Sequence, residues 1–165
     1  MPVILARIDD RLIHGQVTVG WSEALRPDRI VLANNSIAAD PWQSKVYAST
    51  VPPHIKVSIL PVARAAAYLA DPAHEQEKVL LLTGSPEEMS ELVRLGVPVD
   101  EVNVGGLHFS AGKLEMLPFV YLDRQDLTAL VRLIEMGATL SAQQVPGGRE
   151  HVIDMEEIRE MGDRF

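Results

Sequence analysis

Short apolar runs alternate along the chain with segments in which apolar residues recur every three or four positions. The runs predict strands over residues 3–8, 29–33, 56–60, 78–83, 99–104, 120–122 and 138–144. The segments between them predict helices over residues 16–25, 40–50, 62–69, 85–95 and 123–136. Because such alternation is the pattern of βαβ units, we expect a three-layer α/β/α fold with a mostly parallel central sheet of about seven strands.

Capping residues and glycines mark the ends of the predicted helices. Asp40 and Ser85 each stand directly before a proline, and Asp123 supplies a third N-cap. Gly96 and Gly137 follow the last apolar positions of two helices, as glycine often does where helices end. These cues place structural elements and indicate no chemistry.

The C-terminal third ends in a mixed strand and a tail. The strand over 138–144 alternates Leu140 with polar Ser141, which is typical of an edge strand. Residues 147–165 predict a C-terminal tail with a short helix over 155–161. At 165 residues the chain suits a single core, so we expect one domain over 1–165.

Composition excludes several classes of protein. With 15 basic and 23 acidic residues the formal charge is −8, which disfavours a nucleic-acid partner. The chain has no cysteine, so disulfides and thiol chemistry are excluded. No basic region precedes the first apolar run, and no run approaches the ~20 residues that span a bilayer. We therefore expect a soluble intracellular protein.

One stretch, residues 7–17 (RIDDRLIHGQV), joins the first predicted strand to the first helix. In an open α/β sheet such a turn lies at the carboxyl end of a strand, and the amides at the start of the next helix attract anions. Histidine near pH 7 offers a lone pair that can attack phosphorus. The stretch therefore places His14 beside a predicted anion site.

The neighbours of this histidine fit phosphoryl transfer. Arg11 would stabilise negative charge on the equatorial oxygens. Gly15 has no side chain to keep a phosphoryl group away from the amides of Gly15, Gln16 and Val17.

Two acidic residues precede the arginine. Asp9 or Asp10 would hold Arg11 or the imidazole by a charge-assisted hydrogen bond, and the sequence does not decide which. The alternative is that His14 is a structural histidine at a helix start and that the charged residues form a solvated turn. Spacing alone does not separate these readings.

Other motifs give little support to nucleotide or metal chemistry. The segment GGLHFSAGK ending at Lys113 has five residues between Gly106 and Gly112, and leucine follows the lysine, so it fails the spacing of a phosphate loop. The five histidines show neither i,i+4 pairing nor an HExxH pattern, so no metal site is expected. For Trp21 and Trp42 buried packing is favoured over contact with a partner.

The stretch RIDDRLIHGQV resembles the opening segment of the IIB component of the mannose/fructose/sorbose-type bacterial sugar phosphotransferase system (PTS). The resemblance continues through NNSIAAD, VPPHIKV, GVP and NVGGLH, and so extends to about Pro146. It implies that His14 is the phosphorylated residue, with Nδ1 as the attacking atom and a transient pros-phosphohistidine as the product. Arg11 and the amides of Gly15 and Gln16 would then bind the phosphoryl group, with Asp9 and Asp10 in support. Many family members carry an acidic residue where this chain has Asn35, so Asn35 is assigned no role.

The resemblance also implies a function and partners. The chain would act as a protein-phosphohistidine-sugar phosphotransferase that accepts phosphate from a IIA protein. It would pass the phosphate to a hexose carried by the membrane components IIC and IID. It would work in the cytoplasm at the membrane transporter without metal or organic cofactor. Whether it forms a homodimer is left open by the sequence.

The long connection over 105–118 is expected to form part of the rim of the His14 site. His108 in this connection would meet the phosphoryl group or a partner, or would be an exposed loop histidine; both readings stay open. The polar loop 34–36 could line the same cleft.

Two other functional classes stay open at this point. A regulatory phosphoprotein would be phosphorylated on the same histidine without transport of sugar. A non-catalytic α/β ligand-binding module would use His14 as ordinary structure.

Overall fold

Nine strands are present in the part of the chain that the computed structural model describes, residues 2–165. They are β1 Val3–Asp9, β2 Arg29–Ala33, β3 Lys56–Leu60, β4 Val79–Thr83, β5 Glu101–Gly106, β6 Leu114–Leu117, β7 Val120–Leu122, β8 Thr139–Ala142 and β9 His151–Ile153. Seven of them form one sheet in the order β3-β2-β4-β1-β5-β8-β9. All neighbours in it are parallel except β8 and β9. The expected mostly parallel sheet is confirmed.

The helices lie between the strands. They are α1 Ser22–Leu25, α2 Asn35–Ala38, α3 Pro41–Ser49, α4 Val62–Ala70, α5 Pro86–Arg94, α6 Arg124–Glu135 and α7 Met155–Gly162. A π-helix, Gln16–Trp21, precedes α1, and a 3₁₀-helix, Pro72–His74, follows α4. Within residues 2–165, no helix has both the length and the apolar character that crossing a bilayer requires.

Apolar side chains alternate between the two faces of the sheet. In β2, Val31 and Ala33 belong to one buried cluster, and Ile30 and Leu32 belong to the other. Helices α4 to α7 cover the first cluster, whereas the π-helix, α2 and the segment after α3 cover the second. Each fully buried Leu or Ile contributes about 1.5–3 kcal/mol. Because helices cover both faces of the sheet, the three-layer α/β/α arrangement is confirmed.

Several predicted bounds agree closely with the structure. The strands predicted over 29–33 and 56–60 are β2 and β3 without change. The helix predicted over 16–25 is present, although its first part is wound as a π-helix. The strand predicted over 99–104 begins two residues later, because the chain after α5 has first to cross back to the sheet.

The prediction of one long connection over 105–118 is wrong. Its first two residues complete β5, and residues 114–117 form β6. This strand pairs antiparallel with β7 in a separate two-stranded ladder. The strand predicted over 120–122 therefore exists but does not belong to the main sheet. Sequence periodicity cannot show which strand a short run will pair with.

The prediction that residues 138–144 form an edge strand is also wrong. β8 lies between β5 and β9, and the edge position belongs to β9, a three-residue strand in the tail. The predicted tail helix over 155–161 is present as α7. The polar positions of β8 are explained by its neighbours, since Ser141 stands opposite Asn103 of β5.

The connections that leave β1 and β5 create a crevice. These strands are neighbours, but the chain passes from β1 towards β2 on one side and from β5 towards β8 on the other. Ligand sites of open α/β sheets lie at such switch points, outside the carboxyl ends of the strands. The segment carrying His14 follows β1 directly and therefore lies at this crevice.

Candidate active site

Asp9, the last residue of β1, organises the site. Its side chain is fully buried. Oδ1 accepts hydrogen bonds from the backbone amide and from Nε of Arg11, both at 3.1 Å, and Oδ2 accepts one from Nη2 of Arg11 at 2.9 Å. This two-pronged contact fixes the plane of the guanidinium. Of the two aspartates that the sequence left open, Asp9 is the one that holds Arg11.

Arg7, two residues earlier on the same face of β1, lies beneath Asp9. Its side chain is completely buried, and Nη2 donates to Oδ2 of Asp9 at 3.3 Å. The same guanidinium donates to the carbonyls of Gln143 and Gln144 at 2.9 Å each and to the side chain of Asn103. Burial lowers the pKa of Arg7 to about 10, and Asp9 opposes that shift.

Sequence analysis missed Arg7, although a signal was present. A charged residue in the middle of the apolar run VILARID has to find partners within the fold, because a buried unpaired charge is costly. The guanidinium also lies over the ring of Trp21, 4.9 Å from its centre, which explains why this tryptophan is buried as predicted. A Cβ atom on Gly105 would overlap the guanidinium, so that position requires glycine.

The ring of His14 is held between two acceptors. Nδ1 donates to the carbonyl oxygen of Leu12 at 2.8 Å, because a carbonyl can only accept. Nε2 is buried, has no hydrogen-bond partner within residues 2–165, and lies 3.7 Å from Oδ2 of Asp9. The side chain is 18% exposed. The imidazole is therefore near the surface, but in this conformation Nδ1 is occupied by a hydrogen bond and Nε2 is buried.

Backbone strain accompanies this contact. Leu12 has φ 62°, in the left-handed region that non-glycine residues rarely adopt. Strain of this kind is concentrated at functional sites. The side chain of Leu12 lies close to Gly84, where an added Cβ would come within 2.8 Å of Cδ2.

The start of the π-helix leaves two amides available. The amides of Val17 and Thr18 donate to the carbonyl of His14 at 3.0 and 2.8 Å, so the predicted participation of the Val17 amide is wrong. The amides of Gly15 and Gln16 precede the first helical hydrogen bond, and such amides have no acceptor in their own helix. Oε1 of Gln16 accepts from Nη2 of Arg11 at 2.6 Å.

Gly15 is required neither by the backbone nor by packing. It has φ −54° and ψ −39°, ordinary helical values for any residue, and a Cβ atom there would meet nothing within 4 Å. The glycine therefore leaves open space beside His14.

Asp10 holds the loop after β5. Its backbone amide donates to the carbonyl of Gly106 at 2.9 Å. Its carboxylate accepts from the amide of His108 at 2.7 Å and pairs with Nδ1 of the same residue at 2.5 Å. The expected closeness of the β5 loop to the His14 loop is therefore present in the structure.

Other residues singled out in the sequence have structural roles or lie apart. The predicted loop 34–36 is wrong, since Asn34 caps α2 by accepting from the amide of Ile37 at 2.9 Å. Asn35 accepts from the amide of Val62 at 2.8 Å. Trp42 is 74% exposed, so buried packing is wrong for that residue.

Lys113, the lysine of the segment GGLHFSAGK, has a partner within the fold. Nζ of Lys113 pairs with Asp126 at 3.2 Å, at the start of α6. Among the described residues, no group of three or more His, Cys, Asp or Glu side chains is arranged to hold a metal ion.

Arg7, Asp9 and Arg11 together carry one net positive charge. The buried carboxylate of Asp9 lies between two guanidinium groups, Arg7 below and Arg11 towards the surface. Arg11 is 34% exposed, so its outer face can receive an anion that approaches over Gly15. The arrangement can stabilise a dianion next to an imidazole.

Comparisons with known proteins point to one group. A family model described as "PTS system sorbose subfamily IIB component" matches residues 3–161. The chain is 37% identical over 145 residues to the PTS system sorbose-specific EIIB component of Lacticaseibacillus casei, with 88% of each protein covered. It is 34% identical to the PTS system mannose-specific EIIAB component of Escherichia coli, covering 88% of this chain and 45% of that protein. Its structure matches the IIBSor domain of the sorbose permease from Klebsiella pneumoniae with a TM-score of 0.89 at 33% identity, covering 97% and 98% of the chains.

Proposed function

Since the chain belongs to the sorbose subfamily of PTS IIB components, we propose that it carries a phosphoryl group on His14 between a IIA protein and a sugar. The donor is a phosphohistidine of IIA. The acceptor is a hexose during transport through the membrane components IIC and IID, and the protein works in the cytoplasm at that transporter.

One observation carries this proposal: a single buried carboxylate, Asp9, binds the guanidinium of Arg11 and lies beside the imidazole of His14. Oδ2 of Asp9 is 2.9 Å from Arg11 and 3.7 Å from His14. Phosphoryl transfer depends mainly on positioning and on stabilising charge on the equatorial oxygens. Arg11 would bind those oxygens from one side and the amides of Gly15 and Gln16 from the other.

The attacking atom in the proposal is Nδ1, which gives a pros-phosphohistidine. For this the hydrogen bond from Nδ1 to Leu12 has to open, and the ring proton has to move to Nε2. Asp9 faces Nε2 and, as a carboxylate, accepts more strongly than a carbonyl does. Once the contact with Leu12 has opened, the carboxylate is the acceptor that faces the ring, and it would then favour the tautomer that leaves a lone pair on Nδ1.

The transfer to His14 balances without a cofactor. The Nδ1 lone pair forms the new N–P bond while the N–P bond of the donor breaks. The donor ring, protonated on its other nitrogen, keeps the electron pair and leaves as a neutral imidazole. No proton has to leave either ring during this step. The open surface over Gly15 is where the donor histidine would approach.

The names of the relatives support a IIA protein as the donor, but they do not single out one sugar as the acceptor. The Escherichia coli relative named EIIAB carries both designations in one protein, which supports a IIA donor. Relatives at 32–37% identity are named for sorbose, fructose, mannose and N-acetylgalactosamine. The proposal therefore specifies a hexose only.

The test is phosphorylation by the reconstituted relay. The protein is incubated with labelled phosphoenolpyruvate, the general phosphorelay proteins and the cognate IIA, and it should take up an acid-labile, alkali-stable phosphate. His14→Ala should take up none, whereas His54→Ala, a change at an exposed histidine, should be labelled like the wild type. Equal labelling of His14→Ala would refute the proposal, and ³¹P NMR would identify the nitrogen that carries the phosphate.

A further inference from the structure

Asp10 and His108 form a carboxylate–histidine pair at the rim of the site. Oδ1 of Asp10 is 2.5 Å from Nδ1 of His108, and Oδ2 accepts from the His108 amide at 2.7 Å. Nδ1 therefore carries the proton, and Nε2 is left as the acceptor. The His108 side chain is 60% exposed, so Nε2 faces a surface that a substrate can reach.

The pair is built into the site and is not a chance surface contact. The amide of Asp10 donates to the carbonyl of Gly106 at 2.9 Å, which joins the His14 loop to the end of β5. A Cβ on Gly106 would lie 3.5 Å from Nη2 of Arg11. Residues two apart in extended chain are about 7 Å apart. The Cα atom of His108 is therefore within about 12 Å of the guanidinium that would hold the phosphoryl group.

The two halves of the proposed reaction differ in what they require of a base. Transfer from one imidazole to another uses a lone pair and releases no proton. Transfer to a sugar hydroxyl releases the hydroxyl proton, and a positioned base accelerates such steps by about 10²–10⁴-fold. Neither Asp9, which is occupied by two guanidinium groups, nor the phosphorylated His14 can serve as that base.

We propose that His108 is the general base of the second half-reaction, oriented by Asp10; this inference rests on the proposed function. The sugar oxygen attacks phosphorus, and its proton passes to Nε2 of His108. The P–N bond to His14 breaks, and the electron pair returns to Nδ1 of a ring that is protonated at Nε2 beside Asp9. His14 is thus neutral again, and the Asp10 carboxylate stabilises the imidazolium of His108, as a carboxylate does for the base histidine of serine hydrolases.

The experiment separates the two half-reactions. Protein is first phosphorylated through IIA, and the rate is recorded. It is then mixed with membrane vesicles that contain the cognate IIC and IID components and with sorbose, fructose or mannose, and sugar phosphate is measured in a single turnover. His108→Ala should be phosphorylated within about twofold of the wild-type rate, but should transfer to sugar about a hundredfold more slowly or worse.

Matched variants distinguish a base from a loop anchor. His151→Gln alters another histidine that pairs with a carboxylate, Glu157 at 2.8 Å, in the C-terminal tail, and should leave both rates unchanged. Added imidazole should restore transfer in His108→Ala, because the side chain leaves an exposed space, and a structural role would not respond to it. Asp10→Asn keeps an acceptor for Nδ1–H but loses the charge, and should slow transfer to sugar about tenfold.

The possible outcomes decide between distinct failures. Wild-type transfer to sugar by His108→Ala would overturn the inference. Equal loss of both half-reactions without rescue by imidazole would also overturn it, and would assign the pair to holding the loop. If the wild type itself takes up no phosphate before sugar is added, the proposed function fails. The first step of the experiment shows this before transfer to sugar is measured.

Discussion

Oδ2 of Asp9 lies 3.7 Å from Nε2 of His14, on the side of the ring opposite the Leu12 carbonyl that receives Nδ1–H. Each ring nitrogen therefore faces an acceptor. The same carboxylate binds Arg11 and the buried Arg7, so a change at Asp9 acts on the nucleophile, on the exposed cation and on the core together.

Asp9→Asn should impair both stability and phosphorylation. Arg7 would keep its buried charge without a counter-ion, and removing one partner of a buried pair costs about 3–5 kcal/mol. Phosphoryl uptake should fall at least about tenfold, because Arg11 loses its ion pair and the acceptor that faces Nε2 of His14 loses its negative charge. Urea unfolding and relay labelling measure the two effects.

Asp163→Asn is the control for that change, because Asp163 is exposed and lies at the end of α7. Its stability and labelling should match the wild type. Wild-type labelling of folded Asp9→Asn would show that the carboxylate does not position the reacting groups.

Gly15→Ala should separate function from stability. Alanine fits the helical backbone angles of this position and meets no protein atom, and Gly→Ala changes at such compatible positions stabilise proteins by about 0.4–1 kcal/mol, chiefly by restricting the unfolded chain. The thermal midpoint should therefore stay the same or rise. Phosphoryl uptake should fall by about tenfold to a hundredfold, because the methyl group would keep the oxygens from the amides of Gly15 and Gln16.

Gly105→Ala is the opposite case. Its Cβ would overlap the Arg7 guanidinium, so the buried charge network has to open. We expect a loss of about 3 kcal/mol or more in the free energy of unfolding. Equal stability of the Gly105→Ala variant and the wild type would mean that Arg7 can leave its hydrogen bonds at little cost.

The two glycines show what the sequence could and could not predict. His14, Arg11 and Gly15 lie within one short segment, so local sequence together with the resemblance to a family was enough to propose them. Arg7 meets the carbonyls of Gln143 and Gln144, 136 and 137 residues away, and only the order of strands in the sheet brings them together.

The same limit explains the errors in the fold. The bounds of β2 and β3 follow from their own apolar runs. Whether β7 joins the main sheet, and whether a three-residue strand of the tail covers β8, depends on pairing between distant segments. The orientation of the His14 ring depends on the left-handed conformation of Leu12. A leucine gives no signal for that conformation in the sequence, as a glycine would.

Glu88→Gln should stabilise the protein at neutral pH. Burial raises the pKa of the Glu88 carboxyl, so the folded state holds this proton more tightly than the unfolded chain. The contribution of Glu88 is therefore greatest at low pH and is lost as the pH rises through its folded pKa. Glutamine keeps an oxygen for the amide of Gly84 and the hydroxyl of Ser85 and avoids that loss.

The measurement is the thermal midpoint of Glu88→Gln and the wild type between pH 4 and pH 7. From pH 4 to pH 7 the free energy of unfolding of the variant should rise by a few tenths of a kcal/mol relative to that of the wild type. This is about the size that solvent screening leaves for a partly exposed group. Glu156→Gln, at an exposed position in the first turn of α7, should show no such gain. A difference between Glu88→Gln and the wild type that does not change with pH would rule out the ionisation of Glu88 as its cause.

Arg11→Lys should remove function while leaving the fold almost unchanged. The guanidinium contacts both oxygens of Asp9 and Oε1 of Gln16, and one ammonium cannot make all three contacts in one plane. Because Arg11 is partly exposed, the free energy of unfolding should change by less than about 1 kcal/mol. Phosphoryl uptake should fall at least about a hundredfold. Arg94→Lys, in an exposed pair with Glu91, should keep the wild-type rate, and a similar rate for Arg11→Lys would mean that positive charge alone is sufficient.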